Sequence, residues 1–583
     1  MRLKRTIQLL LLAALIAAAA LWRVPAQLHG AEPAGDAVLV VSTLELVEDH
    51  YIKQVDERML MVWAAEAIAQ GVQFLNEPPI DEEQPIDPEA ATEPLPEAEP
   101  QDAQSDPAQP EEPKIASTTV GPGDPPDAVT LEVRGETKQL DFSGGREERI
   151  EQLLAGCSFA AQHGGEIDQR ELLYYALSGM LARLDPHSDF IDPEEARRFE
   201  EETSGSFGGI GIEIGMRDRR LTVIAPIEGT PAHRAGLLAG DLIVAIDGRS
   251  AVNITLFGAV EKIRGPQGTP VVLSIEREGL EQPFDVSIVR GTIEVEAVRF
   301  QALEHGVGYV RVRQFNRKTA GDLRRALQQL QDGPQGLRGL VLDLRNNPGG
   351  LLTAAVDVTD DFIQSGVIVS TRGRAPNSSS VIKAGRRGTL NDVPLIVLTN
   401  FGSASASEIV AGAIQDQGRG LIIGGTTFGK GSVQSIISVD DQSHVALTTS
   451  MYYTPSGRSI QASGIVPDIQ LYYTTDEGEL DRPFGEENLE GFLPNSSPEQ
   501  SRAGLRVDAE KLYWFYRNAG RVPEELEAED PDALMLLAQD LLSSLPPPTN
   551  ETMLSAARRL LEPVNDVVVP EEQPNDGSED PQP

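Results

Sequence analysis

The chain is short of cysteine, histidine, aromatic side chains and positive charge. Among its 583 residues there is one cysteine and there are seven histidines, and aromatic residues make up 5%. The single cysteine, Cys157, excludes an internal disulfide and a cysteine metal cluster, and we expect it to be a small buried apolar side chain. The 49 basic residues face 90 acidic ones, for a net charge of −41. This imbalance disfavours nucleic acid and anionic membrane surfaces as partners.

The amino terminus has the pattern of an export signal. Arg2, Lys4 and Arg5 precede the apolar run IQLLLLAALIAAAALW, and small residues follow it. A basic start, an apolar run and small residues are typical of a signal peptide or of an uncleaved signal anchor. We assign residues 1–31 to this segment. We expect an exported protein of the bacterial periplasm or cell envelope, either released or held at the inner membrane by this segment.

Composition divides the remaining chain, which is too long for one ordinary domain. Residues 77–128 are rich in proline and acid and have few large apolar side chains, so they predict a disordered linker. Strands alternate with helices over 293–475, the pattern of an α/β domain. The other predicted parts are a helical segment (32–76), a helical region that opens with a hairpin in TLEVRGETKQLDF (129–204), a compact unit of short strands (205–292), a second helical segment (476–564) and an acidic tail (565–583).

The stretch Thr399–Gln434 carries the clearest chemical pattern. An apolar run, PLIVLTN, leads into a loop of small residues that contains Ser403, Ser405 and Ser407, and a helical pattern follows. A second apolar run, LIIGG, then leads to Lys430, which glycines flank. A serine hydroxyl needs a base to become a nucleophile, and a lysine serves if burial lowers its pKa. The layout therefore predicts a hydroxyl and an amine in one pocket.

Two other interpretations of this stretch stay open at this point. The serines could simply be small residues at a tight helix entry, with Ser405 or Ser407 as the cap. The segment Gly424–Lys430 also fits most of a phosphate-binding loop. However, Gly431 stands where that loop needs a serine or threonine, and the strand-like SVQSIISV follows where a helix should begin. These two departures argue against a nucleotide site.

A second glycine cluster, DLRNNPGGLL, follows the apolar run GLVLDL. Gly349 and Gly350 have no Cβ, so their backbone amides can approach a ligand closely. The cluster is either a plain turn from strand to helix or half of an oxyanion hole. A nucleophile loop at the end of a neighbouring strand would favour the oxyanion hole.

Several long motifs together resemble the carboxyl-terminal processing proteases. GSASASEIVAGAIQD and FGKGSVQ resemble the family's catalytic motifs, and LDPHSDFIDPEE, SFGGIGIEI, PAHRAGLLAGDLIVAIDG and DLRNNPGG occur in the family's order. The resemblance covers roughly residues 165–470. It implies a multidomain α/β protein, with a ClpP/crotonase-like peptidase core, an inserted PDZ domain at 205–292 and helical amino- and carboxyl-terminal segments. It also implies a serine endopeptidase that needs no metal or cofactor.

The resemblance assigns roles to individual residues. Ser405 would be the nucleophile, Lys430 the general base and Gln434 the residue that orients the lysine. The oxyanion hole would consist of the backbone amides of Ala406 and of Gly349 or Gly350. Two acidic positions, Glu408 and Asp416, would support the structure and would not carry protons.

The resemblance also implies how substrate binds. An exposed, mostly apolar protein carboxyl terminus would add to a sheet edge of the PDZ domain and place its carboxylate at a glycine loop. The groove residues would be Gly209, Ile210, Gly211 and Ile212. A homodimer through the helical segments and an activating or adaptor protein are further expected partners. The alternative is a catalytically inactive PDZ-based binding platform, which loss of Ser405, Lys430 or Gln434 would have favoured.

Overall fold

The computed structural model describes residues 35–76, 115–217, 220–252, 254–277, 279–280, 282–385, 390, 392–472, 484–495, 504–521, 532–543 and 550–567. The expected leader (1–31), most of the expected linker (77–114) and most of the expected tail (568–583) lie outside the described residues. No helix in the described ranges is both long enough and apolar enough to cross a membrane.

The amino-terminal part packs helices against a small antiparallel sheet. Its elements are α1 (Gly35–His50), α2 (Glu57–Asn76), β1 (Ala116–Val120), β2 (Ala128–Val133), β3 (Glu136–Asp141), α3 (Arg146–Gly164), α4 (Gln169–Ala182), β4 (Asp189–Ile191) and α5 (Pro193–Ser204). Apolar side chains of α1–α4 and of the strands share one core. Cys157 is fully buried in that core, so its predicted role as a small apolar side chain is confirmed.

The structure confirms the predicted hairpin and corrects the predicted end of the linker. Strands β2 and β3 pair antiparallel, so the hairpin in TLEVRGETKQLDF is confirmed. The linker boundary at 128 is wrong, because β1 already pairs with β2 along its whole length. The β1 sequence, ASTTV, contains three β-branched residues, which favour a strand despite the acidic and proline-rich chain before it.

The unit at 205–292 is a small β domain. Its elements are β5 (Ser206–Gly209), β6 (Ile212–Arg217), β7 (Arg220–Pro226), α6 (Pro231–Arg234), β8 (Leu242–Ile246), β9 (Arg249–Ser250), α7 (Leu256–Ile263), β10 (Pro270–Glu276), β11 (Phe284–Val289) and β12 (Gly291–Glu294). The main sheet has the order β11-β10-β8-β7-β6, with β9 beside β8. Strands β5 and β12 pair antiparallel where the chain enters and leaves the domain, so they join it to the rest of the protein as a two-stranded ribbon.

The carboxyl-terminal half is built on two sheets. Its elements are β13 (Val298–Ala302), β14 (Val307–Val312), α8 (Thr319–Asp332), β15 (Gly339–Asp343), α9 (Leu352–Asp360), β16 (Val367–Gly373), β17 (Ser380–Lys383), β18 (Leu395–Thr399), α10 (Ala406–Asp416), β19 (Leu421–Gly424), β20 (Ser432–Ser438), β21 (His444–Tyr453), β22 (Ile469–Tyr472), β23 (Leu505–Asp508), α11 (Ala509–Asn518), α12 (Ala533–Ser543) and α13 (Asn550–Asn565). One sheet has the order β13-β14-β15-β18-β19-β22-β23, and all its neighbours are parallel except β13 and β14. The other has the order β17-β16-β21-β20, and β4 pairs with β21.

Helices cover both faces of the seven-stranded sheet, which explains why its central strands β15, β18 and β19 are buried along their whole length. On β15, Leu340 and Leu342 belong to the core with α8, α9 and α10. Val341, between them, belongs to the core with α11, α12 and α13. Successive strand residues point to opposite faces, so one short strand serves two cores.

The segment after residue 475 was predicted to be helical. It does supply α11, α12 and α13, but it also supplies β23, which pairs in parallel with β22 at the edge of the sheet. The carboxyl-terminal segment is therefore part of the central sheet as well as of one helical face.

Candidate active site

Ser405 lies at the turn between β18 and α10. It occupies the N-cap position of α10 with φ 53° and ψ −109°, and its side chain makes no capping hydrogen bond. Positive φ is uncommon for a residue with a Cβ, and strained turns of this kind present nucleophiles at strand-to-helix junctions. Its neighbours are engaged elsewhere, because the Ser403 hydroxyl donates to the carbonyl of Leu344 and the Ser407 hydroxyl to that of Asn347. Ser405 is therefore the serine of this loop whose hydroxyl is available for chemistry.

Lys430 lies in the loop between β19 and β20, and one carboxylate connects this loop to Ser405. Oε2 of Glu408 accepts the backbone N–H of Ser405 at 2.8 Å and that of Lys430 at 2.9 Å. Oε1 accepts the Thr427 hydroxyl at 2.6 Å and the Gly429 N–H at 2.7 Å. The backbone nitrogens of Ser405 and Lys430 thus bond the same oxygen atom, which brings the two loops close together.

Glu408 is completely buried. Burial raises its pKa to about 7, and the four hydrogen bonds to its oxygens oppose that rise. The four donors fit a carboxylate whose two oxygens both accept, so the side chain acts as a clamp between the start of α10 and the lysine loop.

The amine of Lys430 is half-buried among acidic groups. Burial lowers its pKa, because the charged form is poorly solvated there, and the nearby carboxylates of Glu486, Asp185 and Glu408 oppose the lowering. Asp185 is buried and accepts hydrogen bonds from the hydroxyls of Ser188 and Thr448. The net effect favours the neutral amine that a general base requires.

Gln434 lies on β20, four residues after Lys430. Its Nε2 donates to the hydroxyls of Ser432 at 3.0 Å and Thr448 at 3.2 Å. Within the described part of the chain it makes no hydrogen bond to Lys430. Thr448 in turn donates to Asp185, so Gln434 reaches the acidic surroundings of the lysine through a hydroxyl on β21.

The glycine cluster lies against the serine turn. Gly349 has φ +110°, and a Cβ added there would lie 2.9 Å from Cβ of Ser405 and 3.1 Å from the backbone nitrogen of Ala406. The Gly349 N–H donates to Oδ1 of Asn347 at 2.9 Å. Gly350 has φ +133°, and the bends at both positions suit residues without a Cβ. Close approach of this loop to Ser405 therefore requires glycine at 349.

Two residues at this site were not predicted from sequence. Nε2 of His187 lies 3.0 and 2.9 Å from the two carboxylate oxygens of Glu486, which begins a short 3-10 helix, Glu486–Asn488. His187 belongs to LDPHSDFIDPEE, a motif that carries the family resemblance but assigns no role to this histidine. Glu486 lies in an acidic stretch without periodicity, which gave no signal. In the described part of the chain, no group of three or more His, Cys, Asp or Glu side chains is arranged to hold a metal ion.

The four expected peptide-groove residues lie between β5 and β6. Ile210 is buried in the core of the small domain, and its carbonyl accepts the N–H of Ala232 at 2.8 Å. Gly211 has φ +76°, and its carbonyl accepts the Thr230 hydroxyl at 3.0 Å. Gly209 ends β5 and Ile212 begins β6. The backbone of Ile210, and not its side chain, is thus the part that a peptide could meet.

Comparisons with known proteins agree with this architecture. Residues 306–471 match the description of peptidase family S41, and residues 222–277 match a PDZ domain. The carboxy-terminal-processing protease of Bartonella bacilliformis is 46% identical over 341 residues, which are 58% of this chain and 78% of that protein. The carboxy-terminal processing protease CtpA of Bacillus subtilis is 37% identical over 304 residues, 52% of this chain and 64% of that protein. A solved photosystem II D1 C-terminal processing protease is 33% identical, covers 55% of this chain and 88% of its own, and has a TM-score of 0.33.

The predicted fold, a multidomain α/β protein with a ClpP/crotonase-like peptidase core and an inserted PDZ domain, is confirmed. The expected enzyme class is confirmed as well, because the chain matches peptidase family S41 and relatives named as carboxy-terminal processing proteases. The chain belongs to the carboxy-terminal processing proteases, serine peptidases of family S41 that carry a PDZ domain and bind peptide substrates.

Proposed function

We propose that this protein is an endopeptidase that recognises exposed apolar carboxyl termini of exported proteins and cleaves them with a Ser405/Lys430 dyad. The observation that carries the proposal is the shared oxygen of Glu408, which holds the backbones of both residues at 2.8 and 2.9 Å. The lowered pKa of Lys430 supports it, since a neutral amine is what can accept the proton of a serine hydroxyl.

The reaction proceeds through an acyl-enzyme. Neutral Lys430 takes the proton from the hydroxyl of Ser405 as Oγ bonds to the scissile carbonyl carbon. The C–N bond then breaks, and the lysine ammonium gives its proton to the leaving amine. Water next attacks the ester and loses a proton to Lys430. The C–Oγ bond then breaks to release a new carboxyl terminus, and the lysine ammonium gives its proton to Oγ, which restores both the serine and the neutral lysine.

The developing oxyanion is stabilised by the backbone N–H groups of Ala406 and Gly350. Ala406 is the first residue of α10, where an amide has no partner within the helix. Between the two glycines we choose Gly350, because the N–H of Gly349 already donates to Asn347. Two donors aimed at one oxygen are the usual means of stabilising a tetrahedral intermediate.

Gln434 orients the base indirectly. Its amide is held by Ser432 and Thr448, and Thr448 also bonds Asp185, one of the carboxylates facing Lys430. This arrangement fixes β20 against β21 directly after the lysine loop.

The PDZ domain supplies recognition. An apolar carboxyl terminus adds to the edge of β6, and its carboxylate meets backbone amides of the glycine loop at Gly209, Ile210 and Gly211, with Ile212 beside it. The β5–β12 ribbon connects that groove to the peptidase core. The signal-like residues 1–31 place the enzyme in the periplasm or cell envelope, where it meets exported proteins. We further propose that the protein forms a homodimer through its helical segments and that an adaptor protein can bind it. The proposed reaction uses no cofactor.

The test is turnover of a peptide with a free apolar carboxyl terminus by Ser405→Ala and, separately, by Lys430→Ala. Each variant should lose activity by about 10²-fold or more, since the nucleophile or the base is missing. Ser380→Ala and Lys383→Ala, on β17 of the same core, are the matched controls and should keep wild-type rates. Wild-type turnover by either dyad variant would overturn the proposal.

A second experiment separates the enzyme from an inactive binding platform. Mass spectrometry of exported proteins from cells with wild-type protein and with Ser405→Ala should reveal carboxyl termini that are trimmed only in the wild type. If the wild-type protein binds the peptide and trims nothing, the platform is the better description.

A further inference from the structure

A short piece of the carboxyl-terminal segment packs on the lysine loop. We name residues 484–489 the strap. The backbone N–H of Glu486 donates to the carbonyl of Phe428 at 3.0 Å, and the rings of Phe428 and Phe484 lie 6.3 Å apart. Gln461 connects the same two pieces, since its Nε2 donates to Oε1 of Glu486 at 2.9 Å and its Oε1 accepts the N–H of Gly431 at 2.8 Å. The strap is thus fixed to the residues on both sides of Lys430.

The carboxylate of Glu486 is buried, and its position is fixed by several contacts. Its side chain is 1% exposed. Nε2 of His187 lies 3.0 and 2.9 Å from its two oxygens. The backbone N–H of His187 donates to Asp185, so the motif that holds Glu486 also carries a second acidic group facing the lysine. An acidic side chain is rarely buried unless its charge is paired or hydrogen-bonded.

We infer that Glu486 is a positioning residue for Lys430, delivered by the strap and held by His187 and Gln461. The inference rests on the proposed dyad and adds a residue from beyond the stretch 306–471 that the family description matches. It makes the carboxyl-terminal segment part of the active site.

The charges around the lysine explain what Glu486 can do there. Three carboxylates lie near enough to the amine to oppose the lowering of its pKa: Glu486 from the strap, Asp185 from the turn before β4, and Glu408 from α10. Asp185 also faces Tyr51 and is bonded by two hydroxyls, and Glu408 is bonded by three backbone amides and Thr427. Glu486 differs because the strap brings it to the lysine loop from outside the peptidase stretch. A negative charge at this position stabilises the lysine ammonium, so the charge and placement of Glu486 set how much neutral amine is present.

The first test is Glu486→Gln in the full chain, assayed on a peptide with a free apolar carboxyl terminus. The substitution keeps the shape of the side chain and removes its charge. The acid limb of kcat/KM is expected at lower pH than in the wild type, because the ammonium of Lys430 has lost a stabilising anion. Glu487→Gln, at the next and exposed position, is the matched control and should leave the limb in place.

A second variant, Glu486→Asp, keeps the charge and shortens the reach. Its acid limb should stay near that of the wild type while kcat falls about 10- to 100-fold with KM unchanged, because the lysine loop loses its support. A limb that stays at the wild-type pH in Glu486→Gln would overturn the inference. If that variant does not fold, wild-type kcat in Glu486→Asp would overturn it instead.

These outcomes are distinct from failure of the dyad. Turnover by Lys430→Ala would show that the dyad is wrong. An inactive Lys430→Ala together with a wild-type pH profile in Glu486→Gln would leave the dyad intact and remove only the positioning role.

Discussion

The backbone amide of Lys430 and the carboxylate of Glu408 are joined by a hydrogen bond of 2.9 Å, at the oxygen that also accepts the amide of Ser405. The proposed base and nucleophile come from different loops, which follow the neighbouring strands β18 and β19, and a single buried side chain holds their backbones together. Glu408 can do this because it is the third residue of α10 after the Ser405 cap, where its side chain can turn back over the helix start.

Glu408→Gln should therefore reduce both stability and turnover. Each carboxylate oxygen accepts two donors. An amide nitrogen in place of either oxygen would face at least one backbone N–H, which cannot accept a hydrogen bond from it. Each buried donor left unsatisfied costs about 1–3 kcal/mol of unfolding free energy. Chemical denaturation and kcat of the variant are to be compared with Glu510→Gln, an exposed glutamate of α11. Equal stability and equal kcat in the two variants would contradict the role of Glu408 as a clamp.

The same variant should show a pH-dependent penalty. The folded pKa of Glu408, about 7, lies above its ordinary value, because burial penalises the ionised form more than its four hydrogen bonds compensate, so protonation at low pH adds to the stability of the fold. That contribution is fully present below the unfolded pKa and is lost as pH rises through about 7. The stability gap between the wild type and Glu408→Gln is thus expected to shrink between pH 5 and about pH 8. A gap that widens over this range would show that the carboxylate is ionised at lower pH.

The pH profile of the wild-type enzyme should follow the lysine. Lys430 must be neutral to accept a proton, and burial lowers its pKa, so kcat/KM should rise with pH along a limb that lies below the ordinary lysine value of about 10.4. The measurement is kcat/KM on the apolar peptide across the stable pH range. A flat profile, or a limb that survives in a variant lacking Lys430, would exclude lysine as the base.

Gly349→Ala should reduce kcat more than its cost in stability explains. The added Cβ would lie 2.9 Å from Cβ of Ser405, so the turn that carries Ser405 must move. A displacement of about 1 Å at reacting groups can cost on the order of 100-fold in rate. Gly520→Ala is the control, because Gly520 has φ +69° with nothing within 4 Å of the added Cβ. It should lose about 1–2 kcal/mol of stability and keep kcat.

Gly211→Ala should affect binding and leave chemistry unchanged. Its Cβ would lie 2.4 Å from Cβ of Thr230, which pushes the loop away from the position where a terminal carboxylate would bind. We expect KM to rise roughly tenfold, a loss of about 1.4 kcal/mol, with kcat unchanged. Gly236→Ala, in the same domain with φ +80° and open space around it, is the matched control. Equal KM in both variants would remove the carboxylate site from this loop.

The sequence was most informative where hydrophobic period and turn residues indicate the same local structure. The apolar runs that became β18 and β19, the helix after the serines and the strand after Lys430 were all predictable, since period and turn chemistry agree there. The roles of Ser403 and Ser407 were not predictable. All three serines look alike in SASAS, and only packing shows that the hydroxyls of Ser403 and Ser407 bond carbonyls in the loop between β15 and α9.

Long-range relationships escaped the sequence analysis for a physical reason. His187 and Glu486 are 299 positions apart, and nothing in the local pattern of either indicates the other. Strand β23 is four residues long and lies between stretches without strand character, so only its place beside β22 makes it a strand. Contacts between distant parts of the chain, and not local propensity, determine both the His187–Glu486 contact and the strand β23.

The edge position of β23 limits how far the chain can be shortened. A product ending at Tyr472 would retain Ser405, Lys430 and Gln434 but would leave β22 with an open edge. It would also uncover the sheet face where Val341 and Ile396 pack with Leu534 and Leu537. Unpaired strand edges and exposed apolar faces promote aggregation, so recombinant versions trimmed to the peptidase stretch should precipitate, and a soluble minimal enzyme has to run through Asn565.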